Sequence, residues 1–218
     1  MNFIKKLFSK SNKKVQLPVE SATKEKQELQ KENVPEKIVP NIEDYTTLAL
    51  ALMEQEDKET ESKIVTKFDS FFKAPETIFS DGEYYYDTEN NKFQAYRGNG
   101  AEIQDFPLWF LMLDTLQFNK YLWELDWKTD PNETNAVLKI LAERKNFQLP
   151  ELSNINAEGM ESLDDYFKAV NEILASRGMI AIEVQIDSDS YVTGLVKQEN
   201  FENMVQIANS VGRNIIAY

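Results

Sequence analysis

From Tyr45 onward, apolar positions recur at helical spacing. Tyr45, Leu48, Ala49, Leu52 and Met53 stand at offsets of three, four, seven and eight, which puts them on one side of a helix that runs into an acidic stretch. Ile64, Phe68, Phe71 and Phe72 carry the pattern into a second helix. Pro75 predicts its end at Ala74, because proline drives the preceding residue out of the helical region. After Asp105, the run from Phe106 and Pro107 to Leu116 is apolar almost all round, broken by Asp114 and Thr115, so that helix belongs in the centre of the core. Asp130 and Pro131 supply the cap and first residue of a further helix, with Val137, Ile140 and Leu141 turned inward and Pro150 closing the region. Ser162, with Asp165 three positions on, opens the most regular helix. Its stripe of Leu163, Tyr166, Phe167, Val170, Ile173 and Leu174 runs to a stop at Gly178.

Two-residue periodicity marks the strands. Met179 to Ile186 and Tyr191 to Val196 flank the polar turn Asp187 to Ser190 and predict a hairpin. A helix through Phe201, Met204, Val205, Ala208 and Val211 ends at Gly212, and Asn214 to Tyr218 is a short β-like segment. Trp123, Leu125 and Trp127 alternate with Glu124 and Asp126, as in a half-buried strand or an extended exit from the preceding helix. Tyr84 to Tyr86 and Phe93 to Tyr96 read as a loose hairpin inside Gly82 to Arg97. Strands joined by a tight turn pair antiparallel, so the expected class is α+β: a mixed or mainly antiparallel sheet with helices covering one face.

Charge divides the chain into two parts. Residues 1–40 hold nine Lys against five Glu, a net of +4, so residues 41–218 carry −17 of the total −13. The first part, rich in Lys, Glu, Gln, Ser and Asn, has too few apolar groups to offset the entropy of ordering and is expected to be a flexible tail. The second is expected to form a single acidic domain. Within the tail, Phe3, Ile4, Leu7 and Phe8 share one side of a short lysine-rich helix, the look of a weak membrane-surface contact; a basic, frayed terminus accounts for them more simply. The acidic body disfavours nucleic acid as a partner, since phosphate neutralisation needs clustered Lys and Arg, and it favours a basic protein partner.

The chain contains neither histidine nor cysteine. Imidazole bases, thiol nucleophiles and the usual zinc, haem and iron–sulfur ligand sets are therefore excluded, and no cofactor is called for. Absence of cysteine fits a reducing compartment, no segment reaches membrane-spanning length, and Lys5 and Lys6 interrupt any leader-like apolar core, so a cytoplasmic location is expected. Glu183, Asp187 and Asp189 gather at one strand end and in the turn after it. Three carboxylates so spaced would hold a hard divalent cation, although Val192 stands where a calcium loop demands Gly, and local turn chemistry explains the aspartates. Glu124 with Asp126 reads as the wet side of an edge strand, and Asp164 with Asp165 as acids favoured in a first helical turn. Gly98, Asn99 and Gly100 lack the context of a phosphate loop. Without histidine no Ser-His-Asp triad exists, and nothing favours a Ser-Lys dyad.

The aromatics are the remaining candidates for recognition. Tyr84, Tyr85, Tyr86, Tyr96, Trp123 and Trp127 would supply a binding surface, because Tyr and Trp dominate contact hot spots, while most large aromatics in such a chain serve the core. In a strand of three tyrosines, Tyr85 points opposite to its neighbours. At ELDWKTDP (Glu124 to Pro131) and DSDSYVTGLVKQENFENMVQIANSVG (Asp187 to Gly212) the sequence resembles an uncharacterised bacterial domain family of cytosolic proteins of unknown function, over the half from Leu108 onward. The resemblance implies an α+β domain and carries no activity or site residues. The resulting expectation is a non-enzymatic protein-binding domain, in one form an immunity-type inhibitor of a basic toxin. A carboxylate or divalent-metal enzyme at Glu183, Asp187 and Asp189, and a peripheral membrane adaptor through residues 3–14, stand as alternatives.

Overall fold

The computed structural model describes residues 42–74, 77, 82–85, 106–158, 160, 162–186 and 188–218. The expected tail over 1–40, its membrane-contact residues Phe3, Ile4, Leu7 and Phe8, most of the 82–97 hairpin including Tyr86 and Tyr96, and Asp187 lie outside the described residues.

The described elements run α1 (Ile42–Met53), α2 (Lys58–Lys73), α3 (Phe106–Phe118), β1 (Leu122–Leu125), α4 (Pro131–Arg144), α5 (Leu163–Ala175), β2 (Met179–Val184), β3 (Tyr191–Lys197), α6 (Gln198–Ser210) and β4 (Ile215–Ala217). The strands form one sheet in the order β1-β3-β2-β4, antiparallel at every pairing, so the class is α+β. Side-chain oxygens cap three helices, two of them at Asp130 and Ser162 as the sequence predicts and the third at Asp57. Asp57 accepts from Thr60 N, Asp130 from Asn132 N and Glu133 N, and Ser162 from Asp165 N. Helix α2 ends at Lys73 with Ala74 as its C-cap, directly before Pro75.

Helices cover both faces of the sheet, where one was expected. On the first face, Leu122, Ile182, Val184, Val192 and Val196 pack into a core with α1, α2, α3 and α6; on the second, Leu125, Met179, Ala181 and Leu195 pack under α4 and α5. Met179 to Val184 shows the cause: Ile180, Ile182 and Val184 alternate with Met179 and Ala181, so apolar residues point both ways and each face needs a cover. Helix α3 is central, as its all-round apolar sequence predicted, with Leu108 to Leu113 and Leu116 wholly buried or nearly so. Gly194 lies across from Leu122 on β1 and Ile182 on β2. A Cβ there would stand 2.8 Å from Leu122 Cδ2 and 3.3 Å from Ile182 Cγ1, so the central strand needs glycine to let the two chains close over it.

Strand β1 stops at Leu125. Trp127 sits in the turn that follows, which corrects the alternation expected across 123–127. Glu124 is not on a wet side either: it faces the first core beside Tyr85, and its Oε2 is buried with no hydrogen-bond partner among the described residues.

Candidate functional site

Three sets of polar side chains and one exposed ring stand out among the described residues. The first set lies on the second face of the sheet. Glu183 projects from β2 opposite Thr193 and Ile216, beneath α5. Its Oε2 accepts from the Tyr218 hydroxyl, and Asp164, from the first turn of α5, accepts from the Tyr191 hydroxyl at 2.6 Å. The rings of Phe167, Tyr191 and Tyr218 close the cluster, Phe167 stacked on Tyr218 with centroids 5.8 Å apart. Burial, aided by the negative charge of Asp164, pushes Glu183 up to about 7. Burial, the bond to Asp164 and the charges of Asp164 and Glu183 push Tyr191 up to about 12. Asn171 holds the base of the cluster: its amide takes both Ala181 N and Ala181 O and donates to Tyr218 O, standing in for strand partner atoms where β4 ends.

The second set ties the α1–α2 connection to the ends of α3 and α4. Asp57 caps α2 and also accepts from the Thr60 hydroxyl at 2.7 Å, the Tyr121 hydroxyl at 2.8 Å and Arg144 Nη2 at 2.5 Å. Arg144 donates from Nε to Asn119 O and lies 4.3 Å from the centre of the Tyr121 ring, while Gln55 donates to Tyr121 and to Arg144 O. Burial opposes the Asp57 charge, but the bonds from Thr60 and Tyr121 and the Arg144 charge outweigh it and hold the carboxyl at about 2.

The third is Lys145, just past α4 and 4% exposed. Its ammonium donates to Leu52 O in the last turn of α1 at 2.5 Å and to Leu195 O on β3 at 2.8 Å. Burial pulls it down to about 7, against a smaller upward pull from Glu54.

The ring is that of Trp127, 53% accessible; Phe72 at 58% and Phe118 at 39% are also exposed. Its turn is fixed by Asp126, whose Oδ1 accepts from Lys128 N and whose carbonyl accepts from Thr129 N, both at 2.9 Å, immediately before the Asp130 cap of α4. Lys128 Nζ lies 4.6 Å from the centre of the ring. Asp126 and Asp130 make the surroundings acidic.

Of the aromatic candidates, Tyr84, Tyr85 and Trp123 are half-buried, and Tyr85 packs edge-on against Trp123 with centroids 6.5 Å apart. The structure therefore brings Tyr85 and Trp123 together and leaves Trp127 standing out. Of the carboxylate candidates, Glu183 is engaged with Tyr218, Asp189 lies in the bend between β2 and β3, and no group of three carboxylates among the described residues is arranged to hold a metal ion. The partners Asp164, Tyr191 and Tyr218 were not singled out beside Glu183 from sequence, nor were Asp57, Arg144 and Lys145. For Asp164 the one available signal was its place in a first helical turn, which explained its charge and hid its bond to Tyr191.

Grooves framed by described residues include three of about 280 to 770 Å³. The largest of these, about 770 Å³, is lined by residues 146–148, 177–179 and 197–199, among them Asn146, Phe147, Arg177 and Lys197. One of about 450 Å³ includes Asn132, Lys139 and Leu152; one of about 280 Å³ lies between α1 and α6 and includes Leu50, Glu54 and Asn203. None of Asp57, Lys145, Glu183 and Tyr191 lines any of the three.

The chain belongs to the DUF6630 family, a domain of unknown function, whose sequence profile matches residues 44–218. The match spans the whole described body from α1 to β4 apart from its first two residues. No curated protein and no solved structure matches the chain.

Proposed function

We propose that the domain is a non-enzymatic protein-binding module that engages a basic partner, with the Trp127 turn as its contact centre. The observation that carries this reading is the pairing of an exposed indole with a backbone held rigid by Asp126 and Asp130. A large ring on an ordered turn loses little entropy on binding, and a truncated tryptophan is among the costliest losses at protein interfaces. The net charge of −17 on residues 41–218 adds attraction for a basic surface and speeds encounter. The groups whose protonation is displaced furthest support the same reading: Asp57, Lys145, Glu183 and Tyr191 are closed on internal partners. An immunity-type inhibitor covering a basic toxin surface is one form of this function. The test is capture from host extract with the purified chain, wild type beside Trp127→Ala, at low and high salt. A specific protein lost with the variant and weakened by salt supports the proposal; capture indifferent to both defeats it.

One observation favours a second reading. Glu183, pushed up to about 7 by burial beside the negative charge of Asp164, is a carboxyl of the kind general acid–base chemistry uses. Titration calorimetry with magnesium, manganese and calcium, on wild type and Glu183→Gln, tests the metal-dependent form of it: no heat in either removes that form.

A further inference from the structure

Lys145 is the one lysine of the described body whose ammonium is buried on carbonyl groups with no carboxylate within ion-pairing distance. Its partners, Leu52 O and Leu195 O, belong to α1 and β3, more than forty positions away on either side, so its side chain pins the end of α1 to the sheet at the point where β1 no longer pairs with β3. Two acceptors match the two N–H groups of a neutral amine, and both bonds survive loss of the proton. The charged form has a third N–H and a full charge in a site with no counter-ion.

The charged groups around it do not supply one. Glu54, from the end of α1, is committed elsewhere, with Oε1 accepting from Lys197 N at 2.8 Å and Oε2 from Asn200 Nδ2 at 2.9 Å. Glu54 adopts a left-handed backbone, φ 60°, which a non-glycine residue holds at a cost when its surroundings fix it. Arg144, the neighbour on α4, is turned to Asp57 and Asn119 O, and Lys197, two positions along β3 from Leu195, adds only positive charge. Glu54 and Lys197 line the groove between α1 and α6, and Asn146 and Phe147, which follow Lys145, line the largest groove with Lys197. A change at Lys145 therefore reaches the walls of both.

We infer that Lys145 is a proton-operated latch: the neutral amine holds the last turn of α1 against β3, and protonation loosens that attachment and the two grooves beside it. It goes beyond the binding reading and stands without it. In a chain that has no histidine, it provides a response to pH near neutrality from a lysine.

The test is backbone hydrogen exchange on the full chain at pH 6 and pH 8, corrected for intrinsic rates, with side-chain NMR of the lysine Nζ and Cε signals. For one proton taken up on opening, the last turn of α1 opens about tenfold more often at pH 6 than at pH 8, while the centre of β2 around Ile182 changes less. In Lys145→Met, which leaves the carbonyls unpaired but removes the charge, exchange in α1 is faster at both pH values and its pH ratio falls to about one. A Lys145 signal that titrates with the exposed lysines overturns the proposal. So does a pH ratio shared by wild type and Lys145→Met, or equal loosening of α1 and β2, which would mark global unfolding.

Discussion

Lys145 and Glu183 should tilt the stability of the domain in opposite directions across neutrality, and removing either one should expose the other. Both are held at about 7 in the folded chain, from ordinary values of 10.5 and 4.5. The lysine value is lowered, so its contribution is complete above the unfolded value and is lost as pH falls through about 7. Between pH 6 and 8 the folded amine gives up most of a proton that the unfolded chain keeps, which raises stability by about 1.4 kcal/mol. The glutamate value is raised, so its contribution is complete below 4.5 and is lost as pH climbs through about 7. Its site is only half-buried, and solvent screening reduces the corresponding fall to about 1 kcal/mol or less. With no histidine in the chain, no ordinary side chain titrates in this window to obscure the comparison. Urea unfolding at pH 6, 7 and 8 should give a nearly level wild type. Lys145→Met should lose about 1 kcal/mol from pH 6 to 8, and Glu183→Gln should gain about 1.4 kcal/mol over the same range. Slopes, not absolute stabilities, are the readout, because each substitution also changes packing. Parallel slopes in all three proteins would refute the reasoning.

Asp57→Ala should cost about 3 kcal/mol in urea unfolding at pH 7, since it removes the α2 cap and strands the Arg144 guanidinium, whereas Asp57→Asn, able to keep the cap, should cost about half as much. The carboxyl is held at about 2, so the wild-type advantage over Asp57→Asn should vanish as pH falls from about 4 toward 2; an advantage unchanged at pH 2 would contradict the assignment. Gly194→Ala should destabilise by about 1–3 kcal/mol through overpacking against Leu122 and Ile182, and an unchanged melting temperature would show that the strands can part to admit a methyl group. Asn171→Ala should increase hydrogen exchange at Ala181 far more than at Ile182, because it removes the side chain that serves Ala181 where β4 ends; equal effects at both would mean the amide is dispensable.

The elements were legible wherever local chemistry decides them. Asp130, Pro131 and Ser162 mark helix starts because a cap is satisfied within three residues, and Pro75 stops α2 by local sterics. The all-round apolar run of α3 announced a central helix for the same reason. The second helical layer is also written in the chain, since Met179 to Val184 is apolar on both of its faces, a feature that the turn-flanked pattern of the hairpin masks. The polar clusters were not legible. Lys145 meets its carbonyl partners from positions 93 and 50 residues away, and Asp57 meets Arg144 across 87. Local periodicity holds no record of such closures. Asp164 shows the same limit: its helix-dipole role is visible in sequence, and its bond to Tyr191 arises only when α5 lies over β3. Trp127 stands out in the sequence by residue type alone, and its exposure follows from β1 ending two residues earlier.

Binding at the Trp127 turn is tested most directly by calorimetric affinity for the captured partner, wild type against Trp127→Ala, with unfolding followed in parallel. An exposed ring contributes little to folding, so stability should change by less than about 0.5 kcal/mol while Kd rises about 30-fold, the effect of removing a tryptophan hot spot of about 2 kcal/mol. Equal affinity in the two proteins, with both folded, would contradict the account.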